Sequence, residues 1–220
     1  MANAAPADAS SSASVNLTII SAEYISSDIV KLILSGGISI VSRFCYFDDP
    51  LAIDALPLSL TESQTENLYA AGRRFLAEKQ AVAYLNRAEH SAYQLTIKLQ
   101  KKGYVKHEYQ SALNYLALNG TLDDSRFARA YLHTRSLSKK EGGARLFSEL
   151  RKRGIPSDMA KQALNDFFSE VEEAALCESA MRSLIRKGYT EQKLYSALQR
   201  KGFSFSMIKG CITRLSSATS

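Results

Sequence analysis

Seven basic residues stand at equivalent places in the 220-residue chain: Lys101 and Lys102, then Arg151, Lys152 and Arg153, then Arg200 and Lys201. Each group comes directly before a glycine and an apolar residue, closing the segments Leu95 to Tyr104, Leu146 to Ile155 and Leu194 to Phe203. Cations recurring in this way can neutralise the phosphates of a nucleic acid or acidic patches on a protein. Their local use is to complement the negative end of a helix dipole, worth about 0.3–1 kcal/mol each. Two or three bases at every equivalent end exceed what the dipole requires. The seven are therefore read as a surface for a partner or for DNA.

Other residue types that carry chemistry are sparse. Asp123 and Asp124 invite an acid–base or metal role, but no third ligand stands at a suitable spacing. They precede a helix, so they read as caps for its free amides, with Arg126 and Arg129 following. His90, His107 and His133 fall in three separate helical contexts without a Ser or Cys partner pattern. Ser91 beside His90 reads as a helix cap, with Gln94 as its reciprocal partner. No HExxH, no CxxC, no GxxxxGK[ST] and no GxGxxG after a strand occurs. The expectation is a protein with no catalytic residue, no metal and no cofactor, and so not an enzyme. Cys45, Cys177 and Cys211 read as small buried apolar residues in a reducing compartment.

The elements that position these residues are helices. Leucines fall eight and four residues before Gly103, Gly154 and Gly202, on one face of a helix. Each glycine reads as a left-handed C-cap closed by the next apolar side chain. Beyond it an apolar stripe resumes: Tyr109, Leu113 and Leu116; Ala160, Leu164 and Phe167; Ile208, Ile212 and Leu215. A helix before each segment completes the unit, with Tyr84 and Leu85, then Phe127, Tyr131 and Leu132, then Leu176, Leu184 and Ile185. The glycines lie 51 and 48 residues apart, giving three helices per repeat. Ser138 to Gly143 reads as the connection that lengthens the second repeat. Units this short bury little alone, so they should stack into an elongated, curved array.

Ahead of the repeats, Val15 to Phe47 is rich in β-branched and aromatic residues, with Gly36-Gly37 as a hairpin turn. Two or three short strands are expected there, ending at Asp48-Asp49-Pro50. A helix should start near Thr61, where Thr61-Glu62-Ser63-Gln64 has the capping-box pattern. The fold class is thus mainly α, with a small N-terminal β-rich extension. The division is a disordered tail over 1–14, the extension over 15–60, a lead-in helix and first repeat over 61–124, a second repeat over 125–170 and a third over 171–220. Charge follows this division. The net +6 hides an acidic head, two bases against eight acids in 1–72, and a basic body with 26 bases against 14 acids in 73–220. With no secretory signal and no apolar run long enough to span a bilayer, a cytoplasmic monomer is expected.

The stretch Gly120-Thr-Leu-Asp123-Asp124-Ser-Arg126-Phe127-Ala128-Arg129-Ala-Tyr131, with Arg135 one turn later, resembles the signature of the RecX family. Arg87-Ala-Glu-His90-Ser91 leading into Leu95 and Leu99, and the repeated caps, extend the resemblance over about residues 73–215. It implies a regulator that binds the filament of RecA recombinase on single-stranded DNA and inhibits its ATPase, strand exchange and coprotease activity. Recombination and the SOS response would be modulated in consequence. Within it, Asp123, Asp124, Arg126, Phe127 and Arg135 are expected to be structural or interface residues, with Arg126 and Phe127 locking the first repeat to the second. The competing reading is an autonomous DNA-binding protein whose repeats act like helix-turn-helix modules.

Overall fold

Both glycines of Gly36-Gly37 have positive φ, +87° and +81°, and they turn the chain between β2 (Ile29–Leu34) and β3 (Ser39–Arg43). With β1 (Thr18–Tyr24) and β4 (Leu58–Ser59) these strands form an antiparallel sheet in the order β3-β2-β1-β4. The structure, a computed structural model, describes residues 17–53 and 55–217; the tail expected over 1–14 lies outside the described residues. Ile19, Val30, Leu32, Leu34 and Ile40 share the covered face of the sheet and pack with Leu60 and Leu68. β4 was not expected, because two residues pairing with Thr18 and Ile19 leave no local pattern. Phe44–Tyr46, expected as strand, is a 3-10 turn.

α1 (Glu62–Leu85) begins where Thr61 Oγ1 accepts the Gln64 N–H at 3.3 Å and the Gln64 side chain accepts the Thr61 N–H at 3.0 Å. The chain divides inside this helix, after Leu76. In the N-terminal unit, Ser42 Oγ donates to the Ala71 carbonyl at 3.0 Å and Arg74 forks onto Asp48 at 2.8 and 3.0 Å.

In the second unit the helices follow in threes. α2 (Ala92–Lys101) and α3 (Lys106–Leu118) join the end of α1; then come α4 (Asp124–Lys139), α5 (Gly143–Lys152) and α6 (Ser157–Glu170); then α7 (Glu173–Ile185), α8 (Glu191–Arg200) and α9 (Phe205–Ser217). Each triple has its own core. Leu95, Leu99, Tyr109, Leu113 and Leu116 fill the first; Phe127, Leu132, Leu146, Leu150, Leu164 and Phe167 the second; Leu184, Leu194, Leu198, Phe203 and Ile208 the third. The leucines set eight and four residues before each glycine are all buried, as a single-face stripe demands. Ile185 breaks the expected stripe: it is 48% exposed in the last turn of α7. Ser138 and Lys139 are helical, so the connection before α5 is shorter than the sequence suggested.

Candidate partner-binding surface

Each middle helix ends in the same hydrogen-bonded cap. The Tyr104, Ile155 and Phe203 N–H groups reach back to the Leu99, Leu150 and Leu198 carbonyls at 3.2, 3.2 and 3.3 Å. The intervening glycines hold φ of +85°, +83° and +93°. This is the Schellman arrangement, which satisfies carbonyls that the helix leaves open.

Two of the caps are seated on the preceding repeat. Ser91, the buried N-cap of α2, donates its hydroxyl to the Arg153 carbonyl at the end of α5, across 2.6 Å. Gly142, the N-cap of α5, donates its backbone N–H to the Lys201 carbonyl at the end of α8, across 2.9 Å. The negative end of one helix dipole thus meets the positive end of another at both joints. A Cβ on Gly154 would stand 2.2 Å from Tyr93 Cβ, and one on Gly202 would stand 2.4 Å from the Arg145 nitrogen. Gly103 has open space at the same point. Gly142, read in the sequence as part of a connecting stretch, is pressed against the Gly202 carbonyl, where a side chain would not fit.

The joints divide the seven predicted bases. Lys101, Lys102 and Arg200 are exposed and form no ion pair among the described residues. Lys152 reaches Glu149 at 3.3 Å with its side chain 60% exposed, and Arg151 donates back to the Ile155 carbonyl. Arg153 turns inward: it donates to the Glu149 carboxylate at 2.8 Å and lies over the Tyr131 ring at 4.3 Å. Lys201 donates to the Lys139 carbonyl, and burial pushes its ammonium below the ordinary lysine range, with Lys187, Lys139 and Lys140 adding to the shift.

The second repeat carries a chain of ion pairs behind this surface. Arg135 forks onto Glu141 at 2.7 and 3.1 Å, and Arg145 reaches Glu149 at 3.1 Å. The bond to Glu141 raises the pKa of Arg135, while hydrogen bonding from Arg153 holds the Glu149 carboxyl below its ordinary value. Buried carboxylates persist here because each has cationic donors.

The two signature aspartates cap different helices. Asp123 Oδ1 accepts the Ser125 and Arg126 N–H groups of α4 at 2.8 and 3.1 Å. Asp124 Oδ1 instead accepts the Ala92 N–H at the start of α2, at 2.8 Å, and burial raises its pKa. Arg126 binds Glu89 and donates to the Gly120 and Thr121 carbonyls at 3.0 and 2.8 Å, tying α4 to the first repeat. Phe127 is 5% exposed and sits in the second repeat's own core rather than between repeats. Among the described residues no group of three His, Cys, Asp or Glu side chains is placed to hold a metal.

One basic feature escaped the sequence reading. Lys187, Tyr189, Gln192, Lys193 and Arg200 line an open cleft of about 630 Å³ between the end of α7 and α8. Its signal was present: Arg186-Lys187-Gly188-Tyr189 repeats the cap words, and Gly188 has φ of +79°. It stands outside the period of about 50 residues, since this cap ends a first helix rather than a middle one.

Comparison with known proteins adds independent observations. Residues 123–164 match the family model described as "RecX, second three-helix domain". The chain is 40% identical over 152 residues to the regulatory protein RecX of Treponema pallidum (strain Nichols), covering 69% of this chain and 93% of that protein. It is 32% identical over 144 residues to that of Prosthecochloris aestuarii, covering 63% and 93%. A crystal structure of regulatory protein RecX superposes with a TM-score of 0.69 at 22% identity, over 88% of this chain and 99% of the other. RecX from Lactobacillus salivarius gives 0.58 at 20% identity, over 66% and 98%. These two structures share its fold. Among the described residues no helix is long and apolar enough to cross a membrane.

Proposed function

Because the chain belongs to the RecX family of regulatory proteins, which is not an enzyme family, we propose that it binds the RecA filament on single-stranded DNA and restrains it. Restraint lowers ATP hydrolysis, strand exchange and assisted repressor cleavage, and so modulates recombination, DNA repair and the SOS response in the cytoplasm. The observation that carries this reading is the arrangement of bases. Lys101 and Lys102, Arg151 and Lys152, and Arg200 with Lys201 mark the ends of three middle helices, the second and third of which seat their caps on the start of the middle helix before. A repeated array of cations suits a repeating anionic ligand better than a single small one. Lys187 and Lys193 extend the basic surface in the third repeat.

ATP hydrolysis by a RecA-type recombinase on single-stranded DNA, followed with the protein at substoichiometric amounts, tests the proposal. Inhibition is expected. No inhibition while the filament forms overturns it. Tight binding to one duplex sequence in the absence of recombinase would instead favour an autonomous DNA-binding protein.

A further inference from the structure

Cys177 on α7 and Cys211 on α9 are both fully buried in the third core, and Cys211 Sγ donates to the carbonyl of Ala174 at 3.8 Å, one turn from Cys177 on α7. Two small residues filling a core need no such contact, and still less a cation on one of them. Yet Arg214 Nη2 lies 3.5 Å from Cys211 Sγ, while its Nε pairs with Glu178 at 3.1 Å. A groove of about 810 Å³ opens beside this sulfur, lined by Ala174, Met207, Gly210, Thr213 and Arg214. Gly210 leaves that wall bare, since nothing stands within 4 Å of where its Cβ would be. Cys211 itself does not line the groove, but its Sγ touches two residues that do, Ala174 and Arg214.

We propose that Cys177 and Cys211 are a redox modification site, which a peroxide-class oxidant entering by this groove converts into an intramolecular disulfide stapling α9 to α7. Cys211 is the attacking sulfur, because Arg214 places positive charge where negative charge develops. It displaces the far oxygen of hydrogen peroxide, the O–O bond breaks, and the departing hydroxide takes the thiol proton as water, leaving a sulfenic acid. The Cys177 sulfur then attacks Cys211, the S–O bond breaks, and the leaving hydroxide takes the Cys177 proton as a second water. Burial pushes the Cys177 thiol up to about 12, so it keeps its proton until that step. Two electrons pass from the thiols to one peroxide, and a thiol reductant reverses the modification.

The test uses the full chain with Cys45→Ser, which removes the exposed third cysteine and leaves the pair untouched. Native protein is treated with hydrogen peroxide, and the products are followed by intact mass and peptide mapping. The expected product is monomeric, lighter by about 2 Da, cross-linked between Cys177 and Cys211, restored by dithiothreitol and several degrees more resistant to melting. Adding Arg214→Gln should slow its formation by about fivefold or more, as loss of a neighbouring cation does for other reactive thiols. Gain of oxygen without the cross-link overturns the proposal. So does survival of both thiols under exposure that oxidises Cys45 in the unsubstituted chain. An unchanged rate in the Arg214 variant overturns the role given to that residue.

Discussion

The Ser91 hydroxyl serves two repeats at once: it donates to the Arg153 carbonyl at 2.6 Å and accepts the Gln94 N–H at 3.2 Å. One side chain thus caps its own helix and receives the end of another.

Replacing Ser91 by Ala removes the cap, the joint bond and the reciprocal geometry with Gln94. The expected loss is about 2–4 kcal/mol, from a cap of about 1 and an unsatisfied carbonyl of about 1–3. Thr61→Ala, at an exposed cap with no joint, should cost only about 1 kcal/mol. Denaturant titration of both variants checks the difference; equal losses would show that the joint contributes nothing.

Gly103, Gly154 and Gly202 share one backbone conformation and differ only in surroundings. Gly103→Ala should cost about 1–2 kcal/mol, the penalty for a Cβ in the left-handed region. Gly154→Ala and Gly202→Ala add a clash at the joint, on the order of 1–3 kcal/mol more. Melting curves of the three variants should therefore separate into one mild and two severe losses.

Acid dependence follows from Glu149, whose folded pKa is depressed chiefly by Arg153. Its contribution is fully present above the unfolded carboxylate range, about pH 4–5, and is lost as pH falls through the lower folded value. Glu149→Gln should lower stability at pH 7 and flatten the acid limb of the stability curve. Asp124 has the opposite sign: burial raises its folded pKa, so its ionised form costs stability at neutral pH and protonation relieves that cost. Asp124→Asn keeps an oxygen to accept the Ala92 N–H and should leave stability at pH 7 unchanged or higher. Urea midpoints between pH 3 and pH 7 check both signs.

The outward bases should separate binding from folding. Lys101→Ala with Lys102→Ala, or Arg200→Ala alone, should leave the melting temperature within about 1–2 °C, as for surface substitutions of under about 0.5 kcal/mol. Filament inhibition should weaken, and the salt dependence of binding should flatten by about 0.7 log units per lost phosphate contact on single-stranded DNA. Arg153→Ala should instead destabilise the protein, because it strips the principal donor from buried Glu149. A large melting loss in the lysine variant, or unchanged inhibition in all of them, would contradict this division.

Much of the fold was legible because it is written in short range. The Leu95/Leu99, Leu146/Leu150 and Leu194/Leu198 pairs, the glycine caps, the Ser91–Gln94 and Thr61–Gln64 boxes and the Gly36-Gly37 turn all rest on interactions within about ten residues, where type and spacing decide the outcome. The sequence by itself therefore determined three repeated helical units behind a strand-rich head, with bases at the helix ends. Tertiary structure alone decided what those ends meet. Ser91 and Arg153 are 62 residues apart, as are Lys139 and Lys201, and no local pattern encodes which carbonyl closes which cap. For the same reason Asp124 caps α2 rather than its own helix, Arg153 came to lie over Tyr131, and Cys211 came to lie against α7. Burial and hydrogen-bond satisfaction are settled only when separate elements pack, and that packing divided the basic residues into those that hold repeats together and those left exposed to solvent.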